Sequence, residues 1–105
     1  MMENQHRQIK GYRDLSKYEV DLMNRIKAAG AELLLLQDEV VQVLRNDEAA
    51  KSNATRISTN GYPKCLAELQ RFQAAEPFRW AAIAKTDIQT GVMALVRAVA
   101  QPEDC

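Results

Sequence analysis

Four leucines in a row, Leu33 to Leu36, constrain this chain more than any other feature. Successive residues of a helix turn by about 100°, so four consecutive leucines spread around most of its perimeter. The surrounding pattern calls for a helix. Met23, Ile26, Gly30, Leu33, Val40 and Leu44 follow steps of three and four with Gln37 as the polar interruption, and Leu22, Ala29, Leu36 and Val43 repeat every seven. Ser16-Lys17-Tyr18-Glu19 has the S-x-x-E form of a capping box, in which the serine hydroxyl and the glutamate carboxylate satisfy the first free N–H groups. The spacing predicts one helix over Lys17–Asn46, packed on more than one side. A second helix of the same chain cannot enclose it, so self-association is the economical expectation.

Beyond Asn46 the periodicity lapses. "DEAAKSNATRISTNGYP", residues 47–63, reads as a connector with Asn60-Gly61 as its turn signal. "KCLAELQRFQAA" can form a short helix with Leu66, Leu69 and Phe72 on one side. Pro77 suits the first turn of a further helix, which aligns Trp80, Ala84, Ile88, Gly91, Leu95 and Val99 and is ended by Pro102. The expected class is all-α: two long antiparallel helices forming a hairpin, with a short N-terminal helical arm, assembled as a homo-oligomer. The whole chain, 1–105, reads as a single hairpin domain, divided into an arm (1–16), a first long helix (17–46), a connector (47–75) and a second long helix (77–101). Gly30 and Gly91 lie inside helical patterns, where each costs about 1 kcal/mol relative to alanine. Close helix packing explains such glycines, as does a ligand that needs room near Lys27.

Charge and composition narrow the function. With 14 basic and 14 acidic residues the net charge is zero, which argues against a protein that coats long nucleic acid. Residues 1–27 nevertheless carry six Lys/Arg against four acids, and residues 28–63 reverse this with three against five. A small anion would feel the N-terminal region. No apolar run approaches a membrane span, and "MMENQHRQIK" has no apolar secretory core, so a cytoplasmic protein is expected. Cys65 and Cys105 have no metal-type spacing and read as reduced thiols.

Catalytic motifs do not emerge. His6 is the one histidine and has no serine or cysteine nucleophile nearby in sequence; there is no phosphate-binding glycine loop, HExxH or CxxC. Paired acids such as Asp38-Glu39 diverge on a helix and read as solvated surface. Neither a metal nor any other cofactor is expected. Binding is better represented. Tyr12 offers a ring that could stack on a base or staple onto the first helical turn, and Lys10 and Arg13 flank it with charges suited to phosphate. Lys27, in "RIKAAGA", stands among alanines and a glycine, and Met23, four residues before it, cannot pair with it. It lies roughly 15 Å along the helix from Ser16. Tyr12 therefore meets a lysine of this kind most easily across a subunit boundary. A two-fold dimer would present two tyrosines and two lysines around one axis, a natural receptor for a ligand with two bases and two phosphates. A helical adaptor whose basic arm contacts an acidic protein partner is the alternative.

"ENQHRQIKGYRDLS", "DLMNRIKAAGAEL" and "RWAAIAKTDIQTGVMALVRAVAQP" together resemble the phage anti-defence sponges that sequester the cyclic oligonucleotide signals of CBASS antiphage immunity. The resemblance covers roughly residues 3–47 and 76–102 and leaves 48–75 unmatched. It implies a non-enzymatic helical hairpin in the host bacterial cytoplasm, assembled as a hexamer built from dimers. Such proteins bind cyclic dinucleotides between subunits, and some also bind cyclic trinucleotides at separate sites, without DNA, RNA or membrane partners. By the same resemblance the stacking tyrosine falls on Tyr12 and the phosphate-pairing lysine on Lys27; Arg13, read above from its charge beside Tyr12, completes the candidate site. A basic residue of the C-terminal block, Arg79 or in reserve Lys85, would serve the trinucleotide.

Overall fold

The computed structural model describes residues 13–102, and its regular elements are three helices: α1 (Lys17–Ile57), α2 (Tyr62–Ala74) and α3 (Pro77–Ala100). The class is all-α, as the periodicity requires. The chain divides into two compact units, one made of the residues up to Leu33 with those from Asp87 onward, the other of Leu34–Thr86.

In the first unit the capping box forms as its spacing predicts. The Glu19 N–H donates to Ser16 Oγ at 3.1 Å and the Ser16 N–H donates to Glu19 Oε1 at 2.8 Å. The start of α1 lies beside the end of α3, because Arg13 hydrogen-bonds the carbonyls of Val99 and Ala100, so the two helices run antiparallel here. Gly30 is buried at their contact, and a Cβ on it would overlap the Val92 Cγ2 methyl. Close packing is therefore the reason for that glycine. Gly91 differs: a Cβ there would meet nothing within 4 Å. α3 stops where Gln101 turns left-handed (φ 46°), its N–H closing on Arg97 O at 2.8 Å, and Pro102 follows without a donor.

The second unit corrects the expected boundary. α1 does not end at Asn46 but runs on to Ile57, and residues 47–75 are mostly helix, not connector. The extension lacks an apolar stripe because polar side chains do the packing. Thr55 is buried with its hydroxyl bonded to Lys51 O at 2.9 Å, and the Lys51 ammonium sits 5.6 Å from the centre of the Phe72 ring. The short α2 appears where its apolar spacing placed it, with proline in its first turn and the Cys65 N–H bonded to Gly61 O. Phe72, on α2, meets Phe78 edge to face at 6.3 Å between ring centres. Gln37, the polar interruption in the leucine pattern, donates to Ala81 O at 3.0 Å. Ala75 and Glu76 join α2 to α3, and Glu76 takes a left-handed φ of 50° to make the reversal.

Among the described residues no large side chain is fully buried. Of the four leucines only Leu34 is half-buried; Leu33, Leu35 and Leu36 are 48%, 71% and 57% exposed.

Candidate ligand-binding site

Arg13, expected to face a phosphate, has a different set of partners. Its Nε donates to Ala100 O at 2.9 Å and its Nη2 donates to Val99 O at 2.8 Å and to Glu19 Oε2 at 3.0 Å. The guanidinium fork matches this cluster of acceptors, which a single ammonium would not. Both side chains of the Arg13–Glu19 pair are about three-tenths exposed, so water screens it less than an ordinary surface pair. Each charge also complements a helix end: the cation lies at the carbonyl end of α3 and the carboxylate in the first turn of α1. Hydrogen bonding from the Ser16 N–H, and then from Arg13, holds the Glu19 carboxyl below its ordinary range.

Lys27 lies on the exposed surface of α1 and, among the described residues, has no ion-pair partner. Asp21, the nearby acid, is 3.7 Å from Arg25 instead. Tyr12 lies outside the described residues, as do His6, Lys10, Gly11 and Cys105. Within the same unit α1 and α3 flank a groove of about 450 Å³, bounded by Ile26, Leu33, Ile88 and Leu95 with Gly91 on one wall and, among the described residues, Asp87 as its one charged residue. Its size suits a small molecule. The described part of its lining is apolar but for the Asp87 carboxylate, which is not what attracts a polyanion.

The residues proposed for a second ligand are not brought together. Arg79 and Lys85 are both exposed on α3, but six residues on a helix turn by about 600°, which leaves them some 120° apart. Arg79 stacks over Trp80, with its guanidinium carbon 5.2 Å from the ring centre, and Trp80 is itself 59% exposed. The half-buried Cys65 lines a separate cleft of about 270 Å³ with Lys51, Lys64 and Glu68. Glu68 bonds Arg71 through both carboxylate oxygens, at 2.7 and 2.8 Å, and lies 3.5 Å from Lys51. The Arg71 hydrogen bonds lower its pKa most, and the charges of Arg71 and Lys51 add to bring it to about 2. No group of three or more His, Cys, Asp or Glu among the described residues could hold a metal ion, and no described helix is long and apolar enough to cross a membrane.

Comparison with known proteins shows the family of the chain. The family model of the Acb2/Tad1 hairpin domain matches residues 4–100. The chain belongs to that family. It is 59% identical to Anti-CBASS protein 2 of Pseudomonas phage JBD67 over 109 aligned positions, which take in 99% of this chain and 100% of the phage protein.

The Acb2/Tad1 match spans Tyr12, Arg13, Lys27, Arg79 and Lys85, and also the segment 48–75 that could not be placed from sequence. Within this hairpin domain sequence reasoning missed the clasp made by Arg13. One signal was available: an arginine six residues before a capping-box glutamate can reach it only if the intervening chain turns back. Nothing local announced that the other two acceptors would come from residues 99 and 100.

Proposed function

We propose that this chain is a non-catalytic sponge that binds cyclic oligonucleotide second messengers and thereby blocks CBASS immunity in the host bacterial cytoplasm. The observation that carries the reading is full-length similarity to a protein named for its anti-CBASS role. Lys27, exposed and without an ion-pair partner among the described residues, gives it chemistry. On this reading Tyr12 of one subunit stacks on a base while Lys27 of another neutralises a phosphate, and two-fold symmetry duplicates both contacts for a cyclic dinucleotide. Arg79, held over Trp80, is the candidate contact for a cyclic trinucleotide, with Lys85 on another face of α3 as the reserve.

The exposed apolar residues of each unit support the assembly this requires, a homo-oligomer, proposed as a hexamer built from dimers. In the second unit Leu36, Val40 and Val43 follow helical spacing and are each at least half exposed. In the first, Met93 and Leu95 are more than half exposed. A sponge acts by mass action, so it has to bind below the signalling concentration. A nanomolar constant corresponds to about 12 kcal/mol, and one stack at about 1–3 kcal/mol with one ion pair falls short. Duplicated contacts in a preorganised pocket supply the remainder.

Titration calorimetry with a panel of cyclic dinucleotides and trinucleotides tests the reading, followed by denaturation and chromatography of the released ligand. Tight binding with recovery of intact ligand is expected. Linear or cleaved nucleotide would overturn the sponge mechanism. An intact oligomer that binds no member of the panel would favour an adaptor that contacts an acidic protein through the basic arm.

A further inference from the structure

The Asn60-Gly61 pair marks a turn, and its geometry gives it a chemistry that the sponge reading does not use. The two residues lie between α1, which ends at Ile57, and α2, which begins at Tyr62, and both are exposed. Gly61 does not use the conformational freedom of a glycine. Its φ of −93° and ψ of 11° are those of the third residue of a type I turn, which most residues adopt. A Cβ there would lie 3.6 Å from Ser58 Oγ and 3.9 Å from Cys65 Sγ, which are ordinary contacts. What the missing side chain does is leave the backbone nitrogen uncovered. Among the described residues neither that N–H nor the Asn60 amide makes a hydrogen bond.

We infer that Asn60 is a site of spontaneous deamidation, and that isoaspartate formed there loosens the junction of α1 with α2. Hydroxide takes the Gly61 amide proton, the nitrogen attacks Asn60 Cγ, and the Cγ–Nδ2 bond breaks. Nδ2 takes a proton from water and leaves as ammonia, which closes a succinimide ring. Water then adds to one ring carbonyl and the bond from that carbonyl to nitrogen breaks. The nitrogen regains its proton, and a carboxylate and a free proton remain; nothing is oxidised or reduced. Opening at Cγ gives aspartate. Opening at the backbone carbonyl gives isoaspartate, in which the main chain runs through Cβ and Cγ.

The other asparagines lack this arrangement. Asn24, Asn46 and Asn53 lie inside α1, where the next N–H is committed to a carbonyl four residues back. Asn4, outside the described residues, precedes a glutamine and not a glycine. The two products differ in their effect. α2 has no acid in its first turn and no side-chain bond at its cap, so an aspartate just before it complements the helix end. The extra main-chain carbon of isoaspartate displaces Gly61, whose carbonyl accepts the Cys65 N–H at 2.9 Å. The inference does not rest on the sponge reading.

Ageing the full-length protein at mildly alkaline pH, followed by trypsin digestion and mass spectrometry, tests it. Cleavage after Arg56 and Lys64 releases residues 57–64, in which Asn60 is the one amide side chain. This peptide should gain the mass difference between an amide and an acid before any other does, faster as pH rises. Part of the product should be labelled by an isoaspartyl methyltransferase. Gly61→Ala, which the turn accommodates, should slow the conversion at least tenfold by covering the nitrogen. Freshly purified Asn60→Asp carries the new charge on an unaltered main chain and should unfold no lower than the wild-type protein. The acidic, isoaspartate-containing fraction of aged protein should unfold at a lower temperature than Asn60→Asp. Conversion that begins at another asparagine, or that runs as fast in Gly61→Ala, would overturn the assignment. Equal unfolding temperatures for the aged fraction and Asn60→Asp would overturn the loosening.

Discussion

Gly30 and Gly91 stand on different helices at positions that look alike in the sequence, and replacing each with alanine should have opposite effects. At Gly30 the new methyl would overlap Val92 Cγ2 and lie 3.5 Å from Val92 Cβ and 3.6 Å from Cγ1. The valine cannot swing aside, because a β-branched side chain on a helix is confined largely to one χ1 rotamer. Relief must come from separation of α1 and α3. Overpacking of this kind costs about 1–3 kcal/mol, against about 1 kcal/mol gained from alanine's higher helix propensity. At Gly91 the same propensity gain comes with no contact within 4 Å. The gain cancels between the two variants, so Gly91→Ala should exceed Gly30→Ala in stability by about 1–3 kcal/mol.

Urea unfolding followed by far-UV circular dichroism reads this difference. A concentration series is needed because any association shifts apparent stability by mass action. On a chain of this size about 1 kcal/mol corresponds to about 4–8 °C in Tm, so thermal scans should rank the variants in the same order. Val92→Ala supplies the control. With both γ-methyls removed the overlap disappears, and Gly30→Ala should become neutral or stabilising in that background. Equal stabilities for the two glycine variants, or a Gly30→Ala penalty that survives Val92→Ala, would refute the packing account.

Three further outcomes follow, two from the proposed function and its proposed assembly and one from the carboxylates of the fold. Lys27→Ala and Tyr12→Ala should each weaken cyclic dinucleotide binding at least tenfold by calorimetry without changing the oligomer mass. Replacing Leu36 and Val40 together with glutamine should dissociate the assembly in analytical ultracentrifugation and abolish binding, although neither residue is proposed to touch the ligand. Acid should weaken the fold through Glu68 and Glu19. Their folded pKa values are lowered, that of Glu68 to about 2 from an ordinary 4.5, so the stability they give is complete at neutral pH and is lost as pH falls from about 4.5 toward 2. Urea midpoints measured across that range should fall less steeply for Glu68→Gln than for the wild-type protein.

What the sequence revealed was whatever is encoded within a few residues. Ser16 and Glu19 meet three positions apart, so the capping box could be read directly, and the same holds for Pro77 at the start of α3 and Pro102 after its end. The extension of α1 past Asn46 could not. It packs through Thr55, buried with its hydroxyl satisfied by Lys51 O, and through Lys51, which lies against Phe72, and polar residues used as packing leave no apolar period to detect. The two glycines failed for a related reason. Only the identity of the opposing residue, Val92 or open space, distinguishes them, and that residue belongs to another helix. The site divides along the same line. Exposure of Lys27 follows from the helix periodicity around it, but the acceptors that engage Arg13 are backbone carbonyls some 86 and 87 positions away.

A common physical thread connects fold and proposed function. The side chains turned inward are few, and several are polar groups bonded to backbone: Gln37 to Ala81 O, Thr55 to Lys51 O, Arg13 to Val99 O and Ala100 O. Such bonds select a conformation but add only about 1 kcal/mol each, or about 1.5–3 kcal/mol where the charged Arg13 donates. Covering a large apolar side chain is worth about 1.5–3 kcal/mol, and Leu35, Leu36, Met93, Leu95 and Trp80 are left more than half exposed. Apolar surface worth several kcal/mol on that scale (about 1.5–3 kcal/mol per large side chain) is therefore still uncovered among the described residues, and a second copy can supply the cover. If it does, the stabilising contact and the ligand pocket arise at one boundary. A messenger held between subunits would then strengthen the assembly that binds it, so saturating ligand should raise both the unfolding temperature and the resistance to dissociation on dilution.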